Sequence, residues 1–186
     1  MRTTGPGQSA RLLLDAVDIL SRENIRYAVI GAMAASVHGI VRASLDADVV
    51  LSSSLDKLRQ LQVQFQLDGL NTELRRGAAD DPIPALLTIN DKFGNRVDLL
   101  AGIRGLEVES FSRSIDVPFQ GTVLRVIGKE DFIAMKVFAG GPLDLDDAKH
   151  AIALAGNSID LPLLRRLTQQ YGAEASKSFE KLLDQK

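Results

Sequence analysis

Two carboxylates, Asp46 and Asp48, stand one residue apart at the head of the apolar run Val49-Val50-Leu51. In an extended strand alternate side chains share a face, so this pair points the same way, about 6.6 Å apart along the chain. Like charges held side by side repel, and a divalent cation between them removes that cost. A D-x-D in isolation more often solvates an exposed edge strand. Asp is depleted in strands, however, and this pair leads straight into an apolar run. That context favours a hard cation with oxygen ligands, Mg²⁺ or Mn²⁺. A third acid, Asp98, sits in Arg96-Val97-Asp98-Leu99-Leu100 with apolar residues on both sides. A charge inside an apolar strand is costly unless paired or metal-bound. Asp98 is therefore expected to join the cluster, as a general base on an attacking hydroxyl or as a ligand of a second metal. Three strand acids of this kind point to Mg²⁺-assisted phosphoryl or nucleotidyl transfer.

A glycine turn adds to that reading. Gly31 ends the strand Arg26 to Ile30, and a short helix of small residues begins at Ala32. Such a turn offers free backbone N–H groups and the positive end of a helix dipole to a phosphate. The pattern is neither G-x-G-x-x-G nor a P-loop, and a glycine here also permits close packing. Arg42 and Ser44 lie between this helix and the acidic strand, where a positive fork would hold a phosphate or a nucleobase. A surface-loop arginine is the equal alternative. Lys136, on a later helix, either reaches a triphosphate, fixed by Asp144, Asp146 and Asp147, or belongs to a knot in which Asp144 and Asp147 start a helix. His38 and His150 are each isolated and read as structural. Arg75-Arg76 and Arg165-Arg166 read as solvated, with guidance of a polyanion as the alternative.

The elements that position these residues follow from periodicity. Leu12, Leu13, Ala16, Ile19 and Leu20 predict an amphipathic helix from Gln8 to Arg22, behind a frayed Gly/Pro/Thr-rich start over residues 1–7. Ala32 to His38 predict a helix stopped by Gly39, Leu45 to Leu51 a strand, and Leu55 to Leu67 a helix capped from Ser52 to Ser54. Ala85 to Asn90 and Arg96 to Leu100 predict an antiparallel hairpin around Asp91 to Asn95. Val117 to Phe119 and Thr122 to Ile127 predict an edge hairpin. The polar stretch containing Gly69, Gly77, Pro82 and Pro84 predicts no clear element. After Gly128 the chain reads as helices over Glu130 to Ala139, Leu145 to Ala155, Leu161 to Tyr171 and Ala173 to Leu183. The expected fold is α/β (α+β): a mixed sheet flanked by helices over residues 8–128, then a helical C-terminal region over 129–186.

At 186 residues, one domain with at most a small appendage is expected. A net charge of −2 argues against coating nucleic acid by bulk electrostatics, though not against a local basic groove. The absence of cysteine removes disulfides, thiolate-bound zinc and thiol catalysis, and fits a reducing cytoplasm. No apolar run approaches the length of a membrane span and the N-terminus lacks a signal-like apolar stretch, so a cytoplasmic location and no membrane partner are expected.

The order strand, Gly31-Ala32, helix, Arg42-Ala43-Ser44-Leu45-Asp46-Ala47-Asp48, then an isolated Asp98, resembles the DNA polymerase β-type nucleotidyltransferase superfamily. With His38-Gly39, and with Lys136-Val137-Phe138-Ala139-Gly140 followed by Asp144 and Asp147, it is most similar to the AbiEii-like nucleotidyltransferases of toxin–antitoxin and phage-defence systems. The resemblance spans Arg26 to Ala148. It implies transfer of a nucleoside monophosphate from an NTP to a hydroxyl of RNA or protein, with release of pyrophosphate. In that scheme Asp46, Asp48 and Asp98 are catalytic and hold Mg²⁺ or Mn²⁺, while Gly31, Ala32, Arg42, Ser44 and Lys136 bind the nucleotide. Ala32 stands where many catalytic members carry serine, so that contact passes to backbone N–H groups or to Ser36. Gly140-Gly141-Pro142-Leu143 stands where Arg or Lys is often found. Two alternatives remain open: a non-catalytic, antitoxin-like protein that holds a toxin partner, and a small-molecule transferase of the aminoglycoside-modifying kind.

Overall fold

Apolar residues at helical spacing build the first element, α1 (Ser9–Arg22), which buries Leu12, Leu13, Leu14, Ala16, Val17, Ile19 and Leu20. The computed structural model describes residues 1–184. The residues before α1 are tied down rather than frayed. Arg2 pairs with Asp15 at 3.0 Å, Asn95 donates to the Gly5 carbonyl at 2.9 Å, and Thr3 is buried. A side chain 90 residues away in sequence supplies the anchor, which local composition does not reveal.

The chain continues as β1 (Tyr27–Ile30), α2 (Gly31–Val37), β2 (Asp46–Leu51), α3 (Leu55–Leu67), β3 (Asn71–Arg76), β4 (Ala85–Asn90), β5 (Arg96–Leu100), α4 (Ser110–Arg113), β6 (Ile115–Phe119) and β7 (Thr122–Val126). The helices α5 (Lys129–Ala139), α6 (Pro142–Ala155), α7 (Leu161–Gln170) and α8 (Ala173–Asp184) follow, with a short 3₁₀ turn at Gly156–Ser158. Residues 185–186 of the expected helical region lie outside the described residues.

The seven strands form one mixed sheet in the order β3-β4-β5-β2-β1-β7-β6. β1 runs antiparallel to β2 and parallel to β7, and β2 runs parallel to β5. The β4–β5 hairpin and the β6–β7 hairpin are antiparallel as expected, with β6 at the edge. The sequence reading missed β3 and the short α4. Asn71–Arg76 contains a single apolar residue, Leu74, because this strand lies at the sheet's other edge and buries little. Its pairing with β4, not its own composition, makes it a strand.

The centre of the sheet is almost wholly apolar: Ala28, Val29, Val49, Val50, Leu87, Ile89, Val97 and Leu99 are fully buried. The helices after Gly128 add Phe132, Ile133, Val137, Leu164 and Phe179 to the same continuous cluster. Ser110, Arg113 and Asp131 lock α4 to α5, with Arg113 Nη2 donating to Asp131 Oδ1 at 2.7 Å. Among the described residues no helix is long and apolar enough to cross a membrane.

Candidate active site

Register brings the acids together. Ile30 of β1 faces Asp48 of β2, Asp48 faces Asp98 of β5, and Asp98 faces Thr88 of β4. Directly opposed residues share a sheet face, so these four lie abreast across four strands. Asp46 precedes Asp48 on the same face, beside Arg96. One carboxylate oxygen from each of Asp46, Asp48 and Asp98 falls within 4.8 Å of the others.

The electrostatics match that crowding. Burial, then the Asp46 and Asp98 carboxylates, push Asp48 up to about 6 from its ordinary 3.8, against the pull of Arg96 and Lys136. Asp98 is the most buried of the three and has two partners. Thr88 donates to its Oδ1 at 2.8 Å, and Arg96 grips both oxygens through Nε at 3.0 Å and Nη2 at 2.7 Å. Ser44 donates to Asp46 Oδ1 at 2.5 Å. The donor set is all carboxylate oxygen, with neither imidazole nor sulfur. It holds one acid that burial and like charge leave poorly compensated, which suits a hard divalent cation.

Gly31 is required by two constraints at once. Its φ of +63° lies in the left-handed region, and a Cβ there would collide with the Asp48 carboxylate. The chain can therefore turn from β1 into α2 directly against the acid. Two cavities flank this turn. One, about 160 Å³, is lined by Ser9, Ala32, Ser36, Arg42, Ser44 and Asp46, among others. The other, about 230 Å³ and mainly apolar, is lined by Ile30, Gly31, Ile83, Phe132 and Met135, with Lys136 and Asp144 as its charged members.

The remaining sequence candidates divide. Gly31, Ala32, Arg42, Ser44 and Lys136 all border one of these two cavities. The two cations are not idle: Arg42 Nη1 pairs with Asp147 Oδ2 at 2.7 Å, and Lys136 Nζ pairs with Asp144 and Asp147 at 2.8 Å each. Neither aspartate caps a helix, since α6 starts at Pro142 with Gly141 at the N-cap. Ser36 donates to the Ala32 carbonyl at 3.1 Å. His38 hydrogen-bonds the Ile127 carbonyl at 2.9 Å, and burial lowers its pKa, in keeping with a structural role. The arginine pairs lie elsewhere: Arg165 meets Glu180 and Arg166 meets Glu107. Sequence reasoning missed Thr88 and Arg96. The hairpin already inferred would have revealed Thr88 opposite Asp98, and the two-residue spacing of Arg96 from Asp98 puts both on one face.

No protein-family model matches the chain, and no curated protein matches it. Solved structures do. An antigenic nucleotidyltransferase-like protein from Paracoccidioides brasiliensis superposes with a TM-score of 0.59 at 14% identity, covering 99% of this chain and 91% of that one. The antibiotic-resistance factor ANT(2'')-Ia gives 0.59 at 14% identity, covering 94% of each chain. Its complex with adenylyl-2''-tobramycin gives 0.58 at 13% identity, over 87% of this chain and 98% of that one. The α/β fold is thus that of nucleotidyltransferase-like proteins.

Proposed function

We propose that this chain is a metal-dependent nucleotidyltransferase that moves a nucleoside monophosphate from an NTP to a hydroxyl. The observation that carries the reading is the convergence of Asp46, Asp48 and Asp98 beside the Gly31 turn. Asp46, Asp48 and Asp98 would hold Mg²⁺ or Mn²⁺. The bound ion would offset the charge of the triphosphate as that charge redistributes in the transition state.

The chain's own groups do the rest. Asp98, oriented by Thr88, accepts the proton of the attacking hydroxyl. The hydroxyl oxygen forms its bond to the α-phosphorus as the bond to the bridging oxygen breaks, and pyrophosphate carries away that electron pair. Ser44 fixes the rotamer of Asp46. The backbone after Gly31, with Arg42 and Lys136 on either side, binds the phosphates; Ala32 contributes no hydroxyl to them. Most of the rate comes from positioning and charge neutralisation.

The AbiEii-like motif order favours an acceptor on RNA or protein in a toxin–antitoxin or phage-defence setting. The structural likeness to ANT(2'')-Ia supports a small-molecule acceptor as a second reading. Incubating the protein with each labelled NTP, Mg²⁺ and an RNA or lysate pool tests the proposal. The expected result is a labelled product that Asp48→Asn abolishes in a folded protein. Equal labelling by that variant would refute the assignment. An RNA acceptor gives steep loss of activity with salt, and a small molecule does not.

A further inference from the structure

The two cations bordering the cavities come from distant parts of the chain, Arg42 from the loop before β2 and Lys136 from α5. One carboxylate oxygen joins them: Asp147 Oδ2 accepts from Arg42 Nη1 at 2.7 Å and from Lys136 Nζ at 2.8 Å. Asp147 is 6% exposed, so its charge is shielded from water and is compensated by these partners. Asp144 Oδ1 accepts a second N–H from Lys136 Nζ at 2.8 Å. The lysine thus has a fixed direction, with Phe132 below its ammonium at 5.7 Å from the ring centre. Arg42 spends one nitrogen on Asp147 and keeps the rest of its guanidinium fork for another partner.

We propose that Asp147 is a positioning residue that brackets Arg42 and Lys136 and so holds a two-sided phosphate clamp around the Gly31 turn. Without Asp147, Arg42 loses its carboxylate partner and Lys136 is left to Asp144 alone. With Asp147 between them, Lys136 lines the cavity at Gly31 and Arg42 the cavity at Ala32, so a polyphosphate spanning the turn would meet both. The inference rests on the nucleotidyltransferase reading above. It adds a residue of α6 that touches no substrate and sets donor affinity through two others.

The test is binding of Mg²⁺·pyrophosphate and Mg²⁺·ATP by calorimetry, with steady-state kinetics alongside. Asp147→Asn is expected to weaken both ligands about tenfold and to raise KM for the NTP by a similar factor, with kcat changed far less. Asp147→Glu is expected to restore part of the affinity. A merely structural role would lower the melting temperature and the active fraction but leave KM and pyrophosphate affinity unchanged, and that result overturns the proposal. If Asp147→Asn does not fold, Arg42→Gln, Lys136→Gln and the double variant replace it. Their effects on pyrophosphate affinity should be non-additive through the shared carboxylate, and strict additivity would contradict the bracket. Wild-type protein that binds neither ligand would instead refute the nucleotidyltransferase reading itself, and the clamp with it.

Discussion

Asp48 and Asp98 are register partners across the parallel pair β2–β5, so two acids meet side by side between the buried apolar residues Ala47, Val49, Val97 and Leu99 of the same strands. Like charges directly opposite one another destabilise a sheet unless a partner compensates them. Arg96 supplies part of that compensation from the surface, and a divalent cation would supply the rest.

The strain on Asp48 should be visible in stability. Its pKa rises from 3.8 to about 6 on folding, so the folded protein holds that proton more tightly than the unfolded chain. Stability without metal should then fall as pH rises from about 4 through 6 and level off above, by about 3 kcal/mol at most. Urea denaturation at pH 4.5 and 7.5 measures this. Asp48→Asn should be more stable than wild type at the higher pH and lose the step. Divalent cation should raise the melting temperature more at pH 7.5 than at pH 5, because protonated Asp48 is a poor ligand.

Gly31→Ala should damage the site more than the fold. The left-handed φ costs about 1 kcal/mol for any L residue, and the new methyl collides with Asp48. Mn²⁺ affinity by electron paramagnetic resonance should drop while circular dichroism stays native. Unchanged affinity would mean that the turn does not support the acid.

Arg96 and Thr88 hold Asp98 in opposite senses. Arg96 competes with a cation for both Asp98 oxygens but is half exposed, so its hold is modest. Arg96→Gln should tighten Mn²⁺ binding about two- to fivefold at low salt, with the gain fading at high salt. Thr88→Val removes a buried hydrogen bond that fixes the carboxylate, and it should lower kcat with little change in NTP KM.

Much of this site was legible before the structure, because it is written in local signals. The spacing of Asp46 and Asp48, the apolar flanks of Asp98 and the glycine after β1 all act over a few residues. The β4–β5 hairpin was equally local. What stayed hidden depends on partners remote in sequence. β3 is a strand because β4 pairs with it, and residues 1–7 are ordered because Asn95 reaches Gly5 and Gln8. The pairing of Lys136 with Asp144 and Asp147 was one of two readings the sequence offered, whereas the link from Asp147 to Arg42, 105 residues away, leaves no trace in spacing.

Three acids from two strands should share one divalent cation beside a nucleotide. Anomalous diffraction from crystals grown with Mn²⁺ and a non-hydrolysable NTP analogue would locate that cation. A manganese peak is expected within bonding distance of Asp46, Asp48 and Asp98, with the phosphates over the Gly31 turn. Bound nucleotide with the manganese elsewhere, or with Asp98 still closed on Arg96 and away from the metal, would contradict it.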